Sequence, residues 1–300
     1  VAEVEKPEKR EKVFKDFYWM ISNQYYIPGG RVLYGAGNPA NVTLFNCFSL
    51  GTIPDSRSGI IDHIKTATEI MSRGGGVGSC ISTLRPRNAV VKGVNGFSSG
   101  SVSWANYLSN LTHLISQAGS RRGAQMIGQH VWHPDILEFI MCKIQNPHLL
   151  DLLSQHSNPR IADIAEMYLV RDENGEPVDV VDKDFMTGAN ISVLITDDFM
   201  EKMRAGEMWE LKYPDLENLT KEQKEIYDIE WEHMAGIEEW EERGLPVKVY
   251  ETIPARDLWE LINTCARYSA EPGVIFIDRY NKEANSYYYT TIMITNPCGR

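Results

Sequence analysis

Apolar residues in this chain recur with two periods, and the two alternate along its length. A helical spacing runs through KVFKDFYWMISNQYYI (residues 11–26) and is closed by Pro28-Gly29-Gly30. NVTLFNCFSLGTI (41–53) is rich in β-formers and ends near Pro54. A helix is predicted from about 58 to 72, broken by Gly74-Gly75-Gly76 and followed by a short strand. SVSWANYLSNLTHLISQ (101–117) predicts an amphipathic helix stopped by Gly119, AQMIGQHVW (124–132) a strand, and His133-Pro134-Asp135 the start of the helix DILEFIMCKI. ANISVLIT (189–196) reads as a strand, after which Thr196 and Asp197 are placed to cap DDFMEKM. PARDLWELINTCARYSA (254–270) predicts a helix with proline at its start, and PGVIFID and YYYTTIMIT predict strands.

Strands alternating with helices predict βαβ units and a parallel sheet, and the nearly all-apolar strands fit a sheet covered on both faces. A barrel or a large open sheet fits better than a sandwich. Three hundred residues suffice for one large α/β domain or two smaller ones. No apolar run reaches 18 residues and the charged N-terminus lacks an apolar signal core, so the expected setting is the cytoplasm, with no membrane partner.

The net charge of −11 argues against a nucleic-acid surface. Residues 201–245 alone carry 14 acidic and 6 basic residues, read as a solvated helical surface. Arginine, lysine and glycine gather instead in TLRPRNAVVKG (83–93) and GSRRGAQ (119–125), where small anions can bind. The five cysteines are widely spaced, with no CxxC and no cysteine–histidine cluster, so no metal site and no disulfide framework is expected. RGGGVGS (73–79) is neither a P-loop nor GxGxxG. Its glycines serve either as a phosphate cradle or as a place where two backbones approach closely. TNPCG (295–299) is the sharpest feature. Proline ends the strand, Gly299 permits an unusual backbone angle, and the pair presents Cys298 on a tight loop with Asn296 two residues before it.

IPGGR (27–31), VTLFNCFSL (42–50), GGGVGS with TLRPR (74–87), VKGVNGFSSGSVSW (91–104), AGSRRGAQM (118–126), WHPDILEFI (132–140), NISVLITDDFM (190–200) and ITNPCG (294–299) occur in that order. Together they resemble the catalytic (large) subunit of ribonucleotide reductase over almost the whole chain. Details such as SRRGA and TNPCG are most similar to the adenosylcobalamin-dependent class II enzymes. The resemblance implies the first half of a ten-stranded α/β barrel at 41–300, after an N-terminal helical segment at 1–40, with an acidic helical insertion at about 201–252.

It further implies that Cys298 carries a thiyl radical, that Asn296 hydrogen-bonds the ribose hydroxyls, and that Cys47 is one member of a redox pair. Asn46, Gly75 and Gly76 become substrate-binding candidates, and Asp55, Arg85, Arg122 and Gln125 effector-binding candidates. The implied cofactor is adenosylcobalamin, or alternatively a radical supplied by a separate diiron or dimanganese subunit, with dNTP or ATP effectors. The implied partners are the ribonucleotide substrate, the C-terminal half of the reductase, a thioredoxin- or glutaredoxin-type reductant and a second copy in a homodimer. The family has a glutamate two residues after the radical cysteine, and Arg300 stands there instead. The chain is thus expected to be the N-terminal half of a reductase, inactive alone; the alternative is a non-catalytic fragment that binds nucleotides only. A half-barrel leaves an unpaired edge and an apolar inner face. The isolated chain is therefore expected to self-associate, and light scattering that finds a monodisperse monomer would contradict this.

Overall fold

A computed structural model describes residues 2–91, 95–117, 121–179 and 186–298, without the side chains of 116, 117, 121 and 122. It divides into two units, 1–46 and 47–300. The first holds helices α1 (Pro7–Ser22) and α2 (Gly30–Gly35). Helix α1 starts earlier than its apolar spacing predicts because Pro7, preset for the first turn, opens it.

The second unit begins with β1 (Cys47–Thr52), α3 (Arg57–Ser72) and β2 (Gly76–Cys80). A hairpin of β3 (Val90–Val91) and β4 (Gly96–Phe97) precedes α4 (Ser101–Leu114). That helix stops short of its predicted end because Ser116–Gln117 (β5) pairs with Arg121–Arg122 (β6). Next come β7 (Gln125–His130), α5 (Ile136–Met141), α6 (Pro147–Ser154), α7 (Pro159–Tyr168) and β8 (Asn190–Ile195). The last stretch comprises α8 (Asp197–Ala205), β9 (Met208–Pro214), α9 (Lys221–Glu230), α10 (Ile237–Glu242), β10 (Val247–Pro254), α11 (Ala255–Ser269), β11 (Gly273–Phe276) and α12 (Ile277–Glu283). Thr196 caps α8 as its sequence predicts, accepting a hydrogen bond from the Phe199 N–H.

Five strands form one parallel sheet in the order β1-β2-β7-β8-β11. Neighbours in the sheet follow chain order, so each crossover carries its helices to the same side. This is the parallel α/β arrangement the alternation predicts, consistent with part of an α/β barrel. The main core lies on the helical side and joins Ile127, Ile191 and Val193 of the strands to Phe139, Leu258 and Ile262 of the helices. Among the described residues no helix is long and apolar enough to cross a membrane.

Two expectations are corrected. The acidic stretch carries exposed carboxylates on helices, as expected, but it is neither helical throughout nor merely a solvated surface. Strands β9 and β10 form an antiparallel ribbon around α9 and α10, and Trp209, Tyr213, Tyr227, Trp231 and Trp240 are buried. Charge occupies the alternate positions of β9 and the outer helical faces, so average acidity conceals an apolar face. Nor is YYYTTIMIT a strand. Tyr287–Tyr289 form an exposed turn, and residues 290–296 run outside every ladder. They make an arm that crosses the non-helical face of the sheet, where Ile294 packs with Cys80, Met126, Leu194 and Ile275.

Glycines on the crossed face permit this approach. A Cβ on Gly78 would lie 2.0 Å from the Thr295 carbonyl oxygen, and one on Gly128 would lie 2.2 Å from Ile294 Cδ1. Side chains hold the arm in place of a ladder. Ser49 Oγ donates to the Ile294 carbonyl (3.0 Å), while the Asn281 amide both accepts from Ile292 N–H (2.6 Å) and donates to its carbonyl (3.0 Å). Replacing Gly78 by alanine should lower unfolding stability by about 1–3 kcal/mol. It should also speed chymotryptic cleavage at the tyrosine turn; unchanged stability and cleavage would exclude the groove as the arm's seat.

Candidate active site and nucleotide pocket

Cys47 opens β1, and its register with Gly76 of β2 places both on the crossed face. The arm brings Cys298 to the same point. The two sulfurs stand 3.7 Å apart with no disulfide between them, Cys47 half-buried and Cys298 exposed. Gly76 makes room for Cys47 and Pro297, since a Cβ there would lie 3.1 Å from Cys47 Sγ and 3.1 Å from Pro297 Cγ. Asn296 turns the chain end, with its Oδ1 accepting from the Cys298 N–H at 3.1 Å. A cavity of about 230 Å³ adjoins Pro297 and is lined by Thr112, Gln125, Gly188 and Asn190. The remaining cysteines, 80, 142 and 265, are buried, and burial pushes their thiols up, that of Cys265 to about 12.

Sequence-predicted residues divide into two places. Cys47, Gly76, Asn296 and Cys298 meet at the arm's tip. Gly75 is one residue removed, where a Cβ would meet Ile70 and Phe48 at 2.7 and 2.8 Å, so its smallness lets α3 approach β1. Asp55 and Arg85 meet elsewhere. Arg85 donates from its backbone N–H (3.1 Å) and its Nε (2.7 Å) to the two oxygens of Asp55. They line a cavity of about 420 Å³ with Arg57, Phe97 and Trp104. Burial works against the Arg85 charge, but Asp55, Tyr227 and Tyr213 together outweigh burial and raise the guanidinium further.

Gln125 stands with neither Asp55 nor Arg85. It is the first residue of β7, buried, and its Oε1 accepts from Thr112 Oγ1 at 2.8 Å. The backbone of Arg122 pairs with Ser116, and its side chain lies outside the described residues, as do Gly299 and Arg300. Asn46 is exposed at the end of the first unit. Ser49, Gly78, Gly128 and Asn281 were not predicted. Only the alternation of Gly76 and Gly78 along one strand gave a readable sign of the first two positions of that groove.

A family model described as the barrel domain of ribonucleotide reductase matches residues 45–299. The chain belongs to the ribonucleotide reductase family. It is 29% identical over 283 residues to the vitamin B12-dependent ribonucleoside-diphosphate reductase of Thermoplasma acidophilum, which covers 94% of this chain and 28% of that protein. It is 27% identical over 286 residues to the ribonucleoside-diphosphate reductase large subunit of vaccinia virus, and 26% identical to that of variola virus. Each of these two alignments covers 94% of this chain and 31% of the viral protein. The chain spans less than a third of the length of these relatives.

In this reductase-family chain, thiol reactivity should follow the geometry. Iodoacetamide at pH 8 should label Cys298 first and Cys47 next, leaving the three buried thiols untouched in the folded protein. A mild disulfide-forming oxidant should join Cys47 to Cys298, as read by peptide mass spectrometry. Preferential labelling of a buried cysteine would contradict this arrangement.

Proposed function

We propose that this chain presents the radical thiol of a ribonucleotide reductase and, together with a complementary half-barrel, converts ribonucleotides to deoxyribonucleotides for DNA synthesis. The observation that carries this reading is the 3.7 Å approach of Cys298 to Cys47 across the glycine-lined face. A thiyl radical on Cys298 would take the hydrogen from C3′ of the ribose and later return it. Loss of the 2′-hydroxyl as water takes up protons and two electrons. Cys47 supplies one of the two thiols that end as a disulfide, and a thioredoxin- or glutaredoxin-type dithiol reduces it again. In this reading Asn296 hydrogen-bonds the ribose hydroxyls, and Asn46, Gly75 and Gly76 border the substrate.

The exposed Cys298 thiol suits a radical source arriving from outside the arm. When bound, adenosylcobalamin would supply the radical that removes the thiol hydrogen, a choice supported by the name of the Thermoplasma relative. A separate metal-containing radical subunit is the alternative. The Asp55–Arg85 cavity is the proposed effector site. Its size and its two arginines suit a nucleoside triphosphate, and Phe97 and Trp104 offer apolar walls for a base. Arg122 and Gln125 would relay effector identity to the substrate. A homodimer in the cytoplasm completes the proposal, with the chain taken as 1–40 followed by the half-barrel. Substituting Cys298→Ser in the complete reductase should abolish deoxynucleotide formation with adenosylcobalamin supplied, while nucleotide binding persists. Turnover by the variant would refute the role given to this thiol.

A further inference from the structure

The Asp55–Arg85 pair is held from behind by the acidic segment between α8 and α11. Tyr227 of α9 donates its hydroxyl proton to Asp55 Oδ2 at 2.6 Å, on the same oxygen that Arg85 Nε reaches. Its hydroxyl lies 2.9 Å from that of Tyr213. With the Tyr227 proton committed to Asp55, the single Tyr213 proton is shared between the Tyr227 oxygen and the Thr83 carbonyl. Trp231 Nε1–H points at the Tyr213 oxygen (3.2 Å) and at the Thr83 carbonyl (3.0 Å), and Tyr213 also hydrogen-bonds that carbonyl. Thr83 Oγ1 in turn donates to the Ile53 carbonyl at 2.6 Å. One buried aromatic cluster therefore grips both walls of the cavity, the Asp55 turn and the Arg85 loop. All three side chains are buried, and stacking of Tyr227 on Trp231 (6.2 Å between centroids) fixes the ring that carries the hydroxyl.

Resting on the nucleotide reading of this cavity, we infer that Tyr227 is a positioning residue that sets its affinity for nucleoside triphosphates through Asp55. A phosphate that engages Arg85 competes with Asp55 for the guanidinium. Asp55 Oδ1 keeps the Arg85 backbone N–H, but Oδ2 then needs another donor, or it is left as a largely buried carboxylate oxygen beside an incoming anion. Tyr227 is that donor. It keeps Asp55 seated while Arg85 turns to the ligand, and it leaves the carboxylate placed to accept from a sugar hydroxyl. The acidic segment, set apart from the sheet, thereby becomes part of the site's specificity.

The test is calorimetric titration of the full chain with dATP, dGTP and dTTP, comparing wild type, Tyr227→Phe, Asp55→Asn and the double variant. Phenylalanine keeps the ring stack and removes only the hydroxyl. The variant should bind whichever nucleotide the wild type binds about tenfold more weakly, the size expected for a hydrogen bond to a charged group. In the Asp55→Asn background the same change should have little effect. Equal affinity of Tyr227→Phe and wild type would overturn the inference, and so would an equal loss in both backgrounds, which would mean action through packing. If the wild type binds none of the three, the nucleotide reading itself falls, and that outcome is distinct from the others. If Tyr227→Phe fails to fold, Tyr213→Phe removes the next hydroxyl and should give a smaller loss that also disappears with Asp55→Asn; no loss would overturn the inference.

Discussion

A main chain can lie flat across a sheet only where the side chains beneath it are missing. A parallel sheet with helices on one side ordinarily fills its other face with branched side chains, and these would hold a crossing segment several ångströms away. Here Gly76 and Gly78 of β2 and Gly128 of β7 clear a groove, and the arm drops into it until the Thr295 carbonyl sits where a Cβ would otherwise be. The position of Cys298 depends on that groove. So does the meeting of its thiol with Cys47 on the first strand, because the two cysteines are 251 residues apart in sequence and share no ladder.

The groove also explains an economy in the site. Cys47 needs no loop to present it, since β1 is an edge strand and its first residue projects from the crossed face. The arm needs no strand partner, since Ser49 and Asn281 receive its polar groups. The Asp55–Arg85 cavity lies apart, built where the chain leaves β1 and β2 and braced by aromatic residues from the segment between α8 and α11.

Much of this was legible in the sequence, and the failures have physical causes. The sheet strands with apolar neighbours on both faces, the Thr196 cap and the proline-led α11 were readable because local pattern and tertiary role agree there. The arm misled because β-branched residues suit any half-buried extended segment, laddered or not. The acidic segment misled because net charge averages over a strand whose alternate residues, Trp209, Leu211 and Tyr213, face inward. Cys298 and Asn296 stood out by their turn chemistry, and Asp55 and Arg85 through family resemblance. Asn281 and Tyr227 did not stand out at all, since a single amide or hydroxyl carries no periodic signal and gains its meaning only from what lies across from it.

Because the arm belongs to no ladder, its seat rests on contacts other than the strand pairing of the sheet. Lifting it off would break a few side-chain hydrogen bonds and re-expose Ile294, while leaving all five strands paired. The position of Cys298 is therefore set by side-chain bonds and by the packing of Ile294 with Cys80, Met126, Leu194 and Ile275, whereas that of Cys47 is set by a ladder. Loss of those contacts would free the Cys298 sulfur while the strands beneath it stay paired.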